Sequence, residues 1–185
     1  MKKTIISALF ILSVVFSASA QDQTVTNVMT TGTSMGSVGI GLPVFAAGYR
    51  MTIPPVTAFY EVGILDLGRP GSVAVGAQVG FLGYKINTGF SEVYYKHFNT
   101  LFGLRGAYHF TILNNWEVYA GTVLGIRIDS ERFSPGVGSA TTHTHLKFGW
   151  QILGGTRYMF TPSLGAFVEA GYGFTYATIG ATYRF

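Results

Sequence analysis

From Trp116 to Asp129 the chain alternates without a break. Trp116, Val118, Ala120, Thr122, Leu124, Ile126 and Ile128 fall on one side of an extended segment; Glu117, Tyr119, Gly121, Val123, Gly125, Arg127 and Asp129 fall on the other. Successive side chains of a β-strand point to opposite faces, so a period of two sorts residues into two environments. The sorting recurs where Leu146, Phe148, Trp150, Ile152 and Tyr158 oppose Lys147, Gly149, Gln151, Gly155 and Arg157. It returns where Leu164, Ala166, Val168 and Ala170 oppose Gly165, Phe167, Glu169 and Gly171. Glu61 likewise opposes Ala58, Tyr60, Val62 and Ile64, and Arg105 opposes Phe102 and Leu104. Such a chain is built from strands.

In each segment the charges share a face with the glycines. A soluble ligand-binding barrel has an apolar lumen and a polar exterior. Glycine is needed where walls crowd, which in a closed sheet is the narrow interior, so here the charges point inward too and the outside is apolar. Composition agrees: the chain has 25 Gly, 15 Phe and 11 Tyr, with only 11% charged residues. Beyond the first twenty residues, nothing is apolar for the length of a membrane-spanning helix. Only helices and closed barrels satisfy every backbone group in lipid, which leaves a barrel.

The N-terminus reads as an export signal. Met1-Lys2-Lys3 is basic, Ile5 to Phe16 is apolar apart from two serines, and Ala18-Ser19-Ala20 has the small residues of a cleavage site. We therefore expect residues 1–20 to be removed. Of 12 basic residues, losing Lys2 and Lys3 leaves 10 against 8 acids, and no basic tract suggests a nucleic-acid partner. The chain has no cysteine, so no disulfide framework supports it. Gln21 to Thr33 is polar, Thr-rich and without alternation, which predicts a mobile lead-in over 21–34 ahead of a barrel over 35–185.

Eight strands are expected, near 35–43, 55–65, 71–85, 93–111, 115–129, 145–160, 163–173 and 175–185, an even number that closes a barrel. Their connections alternate in length. Asp66 to Pro70, Asn114 and Thr161-Pro162 mark compact turns; Pro43 to Pro54, Ile86 to Glu92 and Asp129 to Thr144 read as longer loops. Outer-membrane barrels have short periplasmic turns and long external loops, which predicts periplasmic termini. The last external loop, around Gly173-Phe174, has to be short.

The final stretch places Tyr183 and Phe185 on the outward face, at the predicted edge of the lipid, where an aromatic ring has one apolar and one wet side. Tyr108, Phe110, Trp116, Tyr158 and Phe160 are expected at the same level, as a girdle. Tyr183-Arg184-Phe185 on an alternating strand resembles the C-terminal signal of bacterial outer-membrane proteins, read by the barrel insertion machinery. Gly103–Phe110 ("GLRGAYHF"), Trp116–Ile126 ("WEVYAGTVLGI") and Gly165–Phe174 ("GAFVEAGYGF") resemble the small eight-stranded outer-membrane β-barrel family of the OmpX and OmpA-domain type. The resemblance is one of pattern and fold over Gln21 to Phe185. It implies an all-β, eight-stranded antiparallel up-and-down transmembrane β-barrel in the bacterial outer membrane. Its implied partners are outer-membrane lipid and the insertion machinery, with surface partners reached through the loops. Such a fold does not fix a function.

An eight-stranded barrel is just wide enough inside for side chains to fill. The inward set contains Glu61, Arg105, Glu117, Arg127, Asp129, Lys147, Arg157, Glu169 and Arg184, five positive and four negative. Unpaired buried ions are costly, so a nearly balanced set is expected to pair and plug the lumen, with each arginine finding a carboxylate. A selective pore would instead want a wider barrel or a ring of one sign.

Catalytic chemistry finds little support. Acyl-editing barrels need a His–Ser pair with an acid at the lipid-facing or outer rim, whereas His97 and His109 fall on the inward face, as structural histidines. His143 and His145 project to one side of an extended segment, with Asp129 and Glu131 opening the same loop, yet two histidines and uncertain carboxylates do not define a metal site. The glycines of Gly36-Ser37-Val38-Gly39-Ile40-Gly41 precede no helix that could hold a phosphate. No catalytic residue, cofactor or metal is assigned. The expected role is structural or surface-interacting, ahead of a small-solute channel and, further back, an enzyme acting on outer-membrane lipid.

Overall fold

The computed structural model describes residues 27–43, 50–68, 71–87, 94–134 and 141–185. The proposed export signal and Gln21 to Thr26 lie outside them. Eight strands follow one another: β1 (Ser34–Pro43), β2 (Arg50–Asp66), β3 (Gly71–Asn87), β4 (Tyr94–Leu113), β5 (Trp116–Ser134), β6 (Thr141–Met159), β7 (Leu164–Tyr172) and β8 (Thr175–Arg184). Each pairs antiparallel with its sequence neighbours, and β1 closes the ring on β8 through Met35 opposite Arg184. The fold is an up-and-down antiparallel barrel with no free sheet edge around its base.

The two faces separate as alternation dictates. Leu104 and Phe148 are 76% and 70% exposed, and Leu146, Ile152, Val168 and Ile179 accompany them on an apolar exterior. Glu61, Arg105, Glu117, Arg157 and Glu169 are buried inside. The glycines fall where the walls crowd. A Cβ on inward Gly180 would lie 2.1 Å from the Val38 carbonyl oxygen and 2.6 Å from the Phe167 ring, whereas outward Gly106 has nothing within 4 Å.

Strand ends depart from expectation at one end of the barrel. Here we call the end where β1 starts and β8 finishes proximal, and the other distal. β2 begins at Arg50 rather than near 55, and it includes Pro54 and Pro55. Among the described residues β2 pairs with β1 only as far as Val56, and its register with β3 shifts around Ile53, an irregularity of the kind that tolerates proline. β5 and β6 likewise run on to Ser134 and from Thr141, absorbing most of the predicted Asp129–Thr144 loop into paired strand. β-branched Thr141, Thr142 and Thr144 suit that extension. By contrast β6 loses β7 beyond Ile152, and β7 turns into β8 at Gly173, whose φ of 125° suits glycine alone. Among the described residues the wall is therefore low across β7 and β8, and β2 to β6 rise beyond it as a sheet.

The lead-in is corrected in part. Residues 27–33 are packed into the proximal end rather than mobile. Val28 and Met29 are fully buried with Met35, Ala74 and Met159. The Val28 amide donates to Thr111 Oγ1 at 3.0 Å, and the Gly32 and Gly63 amides donate to the Gly63 and Thr33 carbonyls in turn. Two large apolar side chains in a run of polar ones were enough to find a hole in the barrel base.

Candidate functional site in the lumen

Five strands deliver charged groups to the middle of the lumen. Arg105 of β4 donates from Nε to Glu61 Oε1 of β2 at 2.8 Å and from Nη2 to Glu169 Oε1 of β7 at 2.6 Å. Arg157 of β6 donates to Glu61 Oε2 at 2.9 Å and to Glu117 Oε1 of β5 at 2.8 Å. Glu61 thus binds both arginines, one on each oxygen. Charge-assisted pairs of this kind are the strong hydrogen bonds of a protein interior. The Arg105 guanidinium also lies 4.0 Å over the Phe59 ring, and that of Arg157 lies 5.2 Å from the Tyr119 ring centroid.

Neutral groups complete the lattice. Tyr119 donates its hydroxyl to Glu169 at 2.9 Å, Gln78 accepts from Arg105 at 2.8 Å, and Gln78 in turn donates to Gln151 across the barrel at 3.1 Å. His109, fully buried, has Nδ1 3.1 Å from Glu117 and Nε2 3.9 Å from Glu61. His97 stacks on Tyr84 at 4.7 Å instead.

The nine predicted lumen charges do not form one set. Glu61, Arg105, Glu117, Arg157 and Glu169 come together. Arg127, Asp129 and Lys147 form a separate distal cluster: Asp129 accepts from Arg127 at 2.9 Å and from Lys147 at 2.8 Å, and the Lys147 side chain is 60% exposed. Between the two groups lies an apolar layer of Leu82, Leu101, Val123, Leu153 and Phe174, which a count of charges could not show. Arg184 stands alone among the described residues. It makes no ion pair there, and its Nη2 donates to the Val28 carbonyl, because the packed 27–33 segment occupies the space at its end of the lumen.

His143 and His145 sit on β6 opposite Glu131 and Asp129 of β5, exposed, and no group of three or more metal-ligating side chains is assembled among the described residues. Gln78, Gln151 and Tyr119 join the lattice as neutral groups, which a balance of charges does not register, although their parity along the strands places them inward. A cleft of about 280 Å³ opens where the wall drops, bounded by Leu101, Arg127, Phe148, Trp150, Tyr172 and Phe174.

At the proximal end the aromatic set is outward as predicted, except that Phe110 is only part-exposed. Tyr183 and Phe185 pack edge to face at 5.1 Å, and Phe185 reaches the Tyr60 ring at 6.2 Å. Trp116 donates its indole N–H to Thr156 at 2.6 Å.

A closed eight-stranded barrel with an apolar outside and a polar inside is the fold of small outer-membrane β-barrels, and solved structures agree in fold. No family model and no curated protein sequence matches this chain. Ail, the attachment invasion locus protein of Yersinia pestis, matches over 84% of this chain and 100% of its own, with a TM-score of 0.56 and 12% identity in its complex with the heparin analogue sucrose octasulfate. A second Ail crystal structure matches over the same shares with a TM-score of 0.53 and 17% identity. Neisserial surface protein A matches over 83% of this chain and 96% of its own, with a TM-score of 0.46 and 15% identity. At these identities the likeness to Ail is one of fold.

Proposed function

We propose that this protein is an outer-membrane barrel closed by its own side chains, with a structural or surface-interacting role carried by the distal end. The observation that carries the reading is the ion-pair lattice across the lumen, centred on Glu61 and held between the apolar layer above it and the Val28–Met29 plug below. Each of these buried ions has a partner of opposite sign, and the lattice they form across the lumen leaves a permeating ion little room to pass. His109 is engaged by Glu117 and sealed from solvent, and His97 lies against Tyr84, which favours a structural over a catalytic role for both. The complex of Ail with a heparin analogue supports interaction at a surface as the class of function.

The orientation we infer puts the short turns and both termini in the periplasm and the raised β2–β6 sheet outside the cell. Tyr183 and Phe185 then serve as the insertion signal. Planar-bilayer recording tests closure: the wild type should show no steady conductance, and a stable open level would favour the small-solute channel. Because the chain has no cysteine, single substitutions test orientation. Thr142→Cys should react with an impermeant maleimide on intact cells, and Asn115→Cys should react only after the outer membrane is broken. The reverse pattern overturns the orientation.

A further inference from the structure

We propose that the cleft where β6 loses β7 binds a long-chain fatty acid, with the carboxylate on Arg127 and the hydrocarbon chain leading out into the membrane. This goes beyond the structural role and rests on the same reading of the protein as a membrane barrel.

The cleft passes over an edge of the wall. β6 pairs with β7 from Ile152 to Met159, so its backbone at Gly149 and Trp150 has no paired strand on that side among the described residues. Residues of both faces line the space as a result. Phe148, Trp150 and Tyr172 come from the apolar exterior; Leu101, Arg127 and Phe174 come from the lumen side. One cavity of about 280 Å³ thus joins the outer surface to the inner face of the raised sheet. At Gly149 no side chain separates the two halves, and a Cβ there would lie 2.5 Å from Leu101 Cδ1. Leu101 and Phe174 belong to the apolar layer over the ion-pair lattice and form the floor.

Arg127 supplies the polar end. Its Nε donates to Asn99 Oδ1 at 3.0 Å and to Asp129 Oδ1 at 2.9 Å. The two Nη atoms have no hydrogen-bond partner among the described residues, and the side chain is 32% exposed. A guanidinium with its Nε occupied still offers two parallel N–H groups, a fork that matches the two oxygens of a carboxylate. Charge agrees with that choice. Asp129 sets one negative charge against the two positive ones of Arg127 and Lys147, so one positive charge is left for a monoanion.

The rings outside the cleft set its level. Trp150 lies 5.9 Å from Tyr172, and Tyr172 lies 5.9 Å from Tyr176, all three exposed. Such rings gather where hydrocarbon meets water. A fatty acid rests at that depth, with its carboxylate in the polar zone and its chain in the apolar band. Size decides between one chain and two. Ligand pockets run from about 300 to 1,000 Å³, and this cleft lies at the small end. It matches a carboxylate with the first carbons of one chain, the rest remaining in lipid, and is small for the head group and two chains of a phospholipid.

The test uses Trp150 as reporter. The chain has two tryptophans, and W116F removes the one at the start of β5, away from the cleft. W116F protein is folded into phosphatidylcholine nanodiscs and titrated with dibromostearate, whose bromines quench indole fluorescence at short range. Quenching should saturate at a low mole fraction of the acid, whereas dibromostearyl alcohol, which lacks the charge, should quench only in proportion to its amount. Adding R127Q should move saturation to roughly tenfold more acid, the effect of losing a charge-assisted bond. Adding K147Q removes a neighbouring cation that does not line the cleft, and should leave saturation in place.

Equal quenching by the alcohol, equal loss in K147Q, or no change in R127Q overturns the site. Saturable quenching by phosphatidic acid with brominated chains, at the same mole fraction, also overturns it and assigns the cleft to a lipid phosphate. A heat-modifiable gel shift monitors folding of each variant, and the comparison of acid with alcohol needs no change at Arg127. If neither wild type nor W116F shifts and inserts, the barrel reading falls; if W116F inserts and the acid quenches without saturation, only the fatty-acid site falls.

Discussion

Glu61 on β2 and Arg157 on β6 lie four strands apart in either direction around the ring, and their head groups meet at 2.9 Å. The bond spans the lumen, so the wall is braced from within. With Arg105 on the other oxygen of Glu61, one carboxylate holds two guanidiniums.

Removing that carboxylate should be severe. Glu61→Ala leaves Arg105 and Arg157 each short of a buried partner, a loss of about 3–5 kcal/mol for a fully buried pair. Asp129→Ala breaks a partly solvated cluster and should cost about 1 kcal/mol or less. His143→Ala, on the exposed part of β6, should change nothing measurable. Chemical denaturation of the three variants in detergent ranks them; equal midpoints for Glu61→Ala and Asp129→Ala would remove the lattice from the account of stability.

The proximal plug makes a second prediction. Met29 has no exposed surface and packs with Val28, Met35 and Met159. Met29→Ala should destabilise by about 2–5 kcal/mol, the range for a buried large-to-small change. A variant as stable as wild type would mean that the segment leaves the barrel in solution.

Inward Gly180 should resist substitution where outward Gly106 does not. Gly180→Ala places a methyl group against the Val38 carbonyl and the Phe167 ring, and Gly106→Ala meets open space. The first should lower refolding yield and unfolding temperature, and the second should leave both near wild type. Equal tolerance would contradict the crowding argument for the lumen face.

The insertion role inferred for the last strand is also testable. Deleting Phe185 removes its contacts with Tyr60 and Tyr183 and the last outward ring. Insertion in cells should fall far more than for Ala177→Gly, while refolding into detergent should fall little. Equal surface levels of the two variants would show that Phe185 carries no signal.

The alternation of Trp116 to Asp129 and its repeats determined which residues face inward, because a period of two admits one sorting of side chains. With it came the strand count and the inward placement of Glu61, Arg105, Glu117, Arg157 and Glu169. Height along the barrel was another matter. Which inward charges share a level depends on register between strands distant in sequence, and only closure of the ring brought β2 against β6 and set an apolar layer between Arg157 and Arg127. The same holds for Val28 and Met29, whose partners are the residues left around a hole at the barrel base. Parity is local and is written in the chain; the meeting of Glu61 with Arg157 is a property of the closed ring.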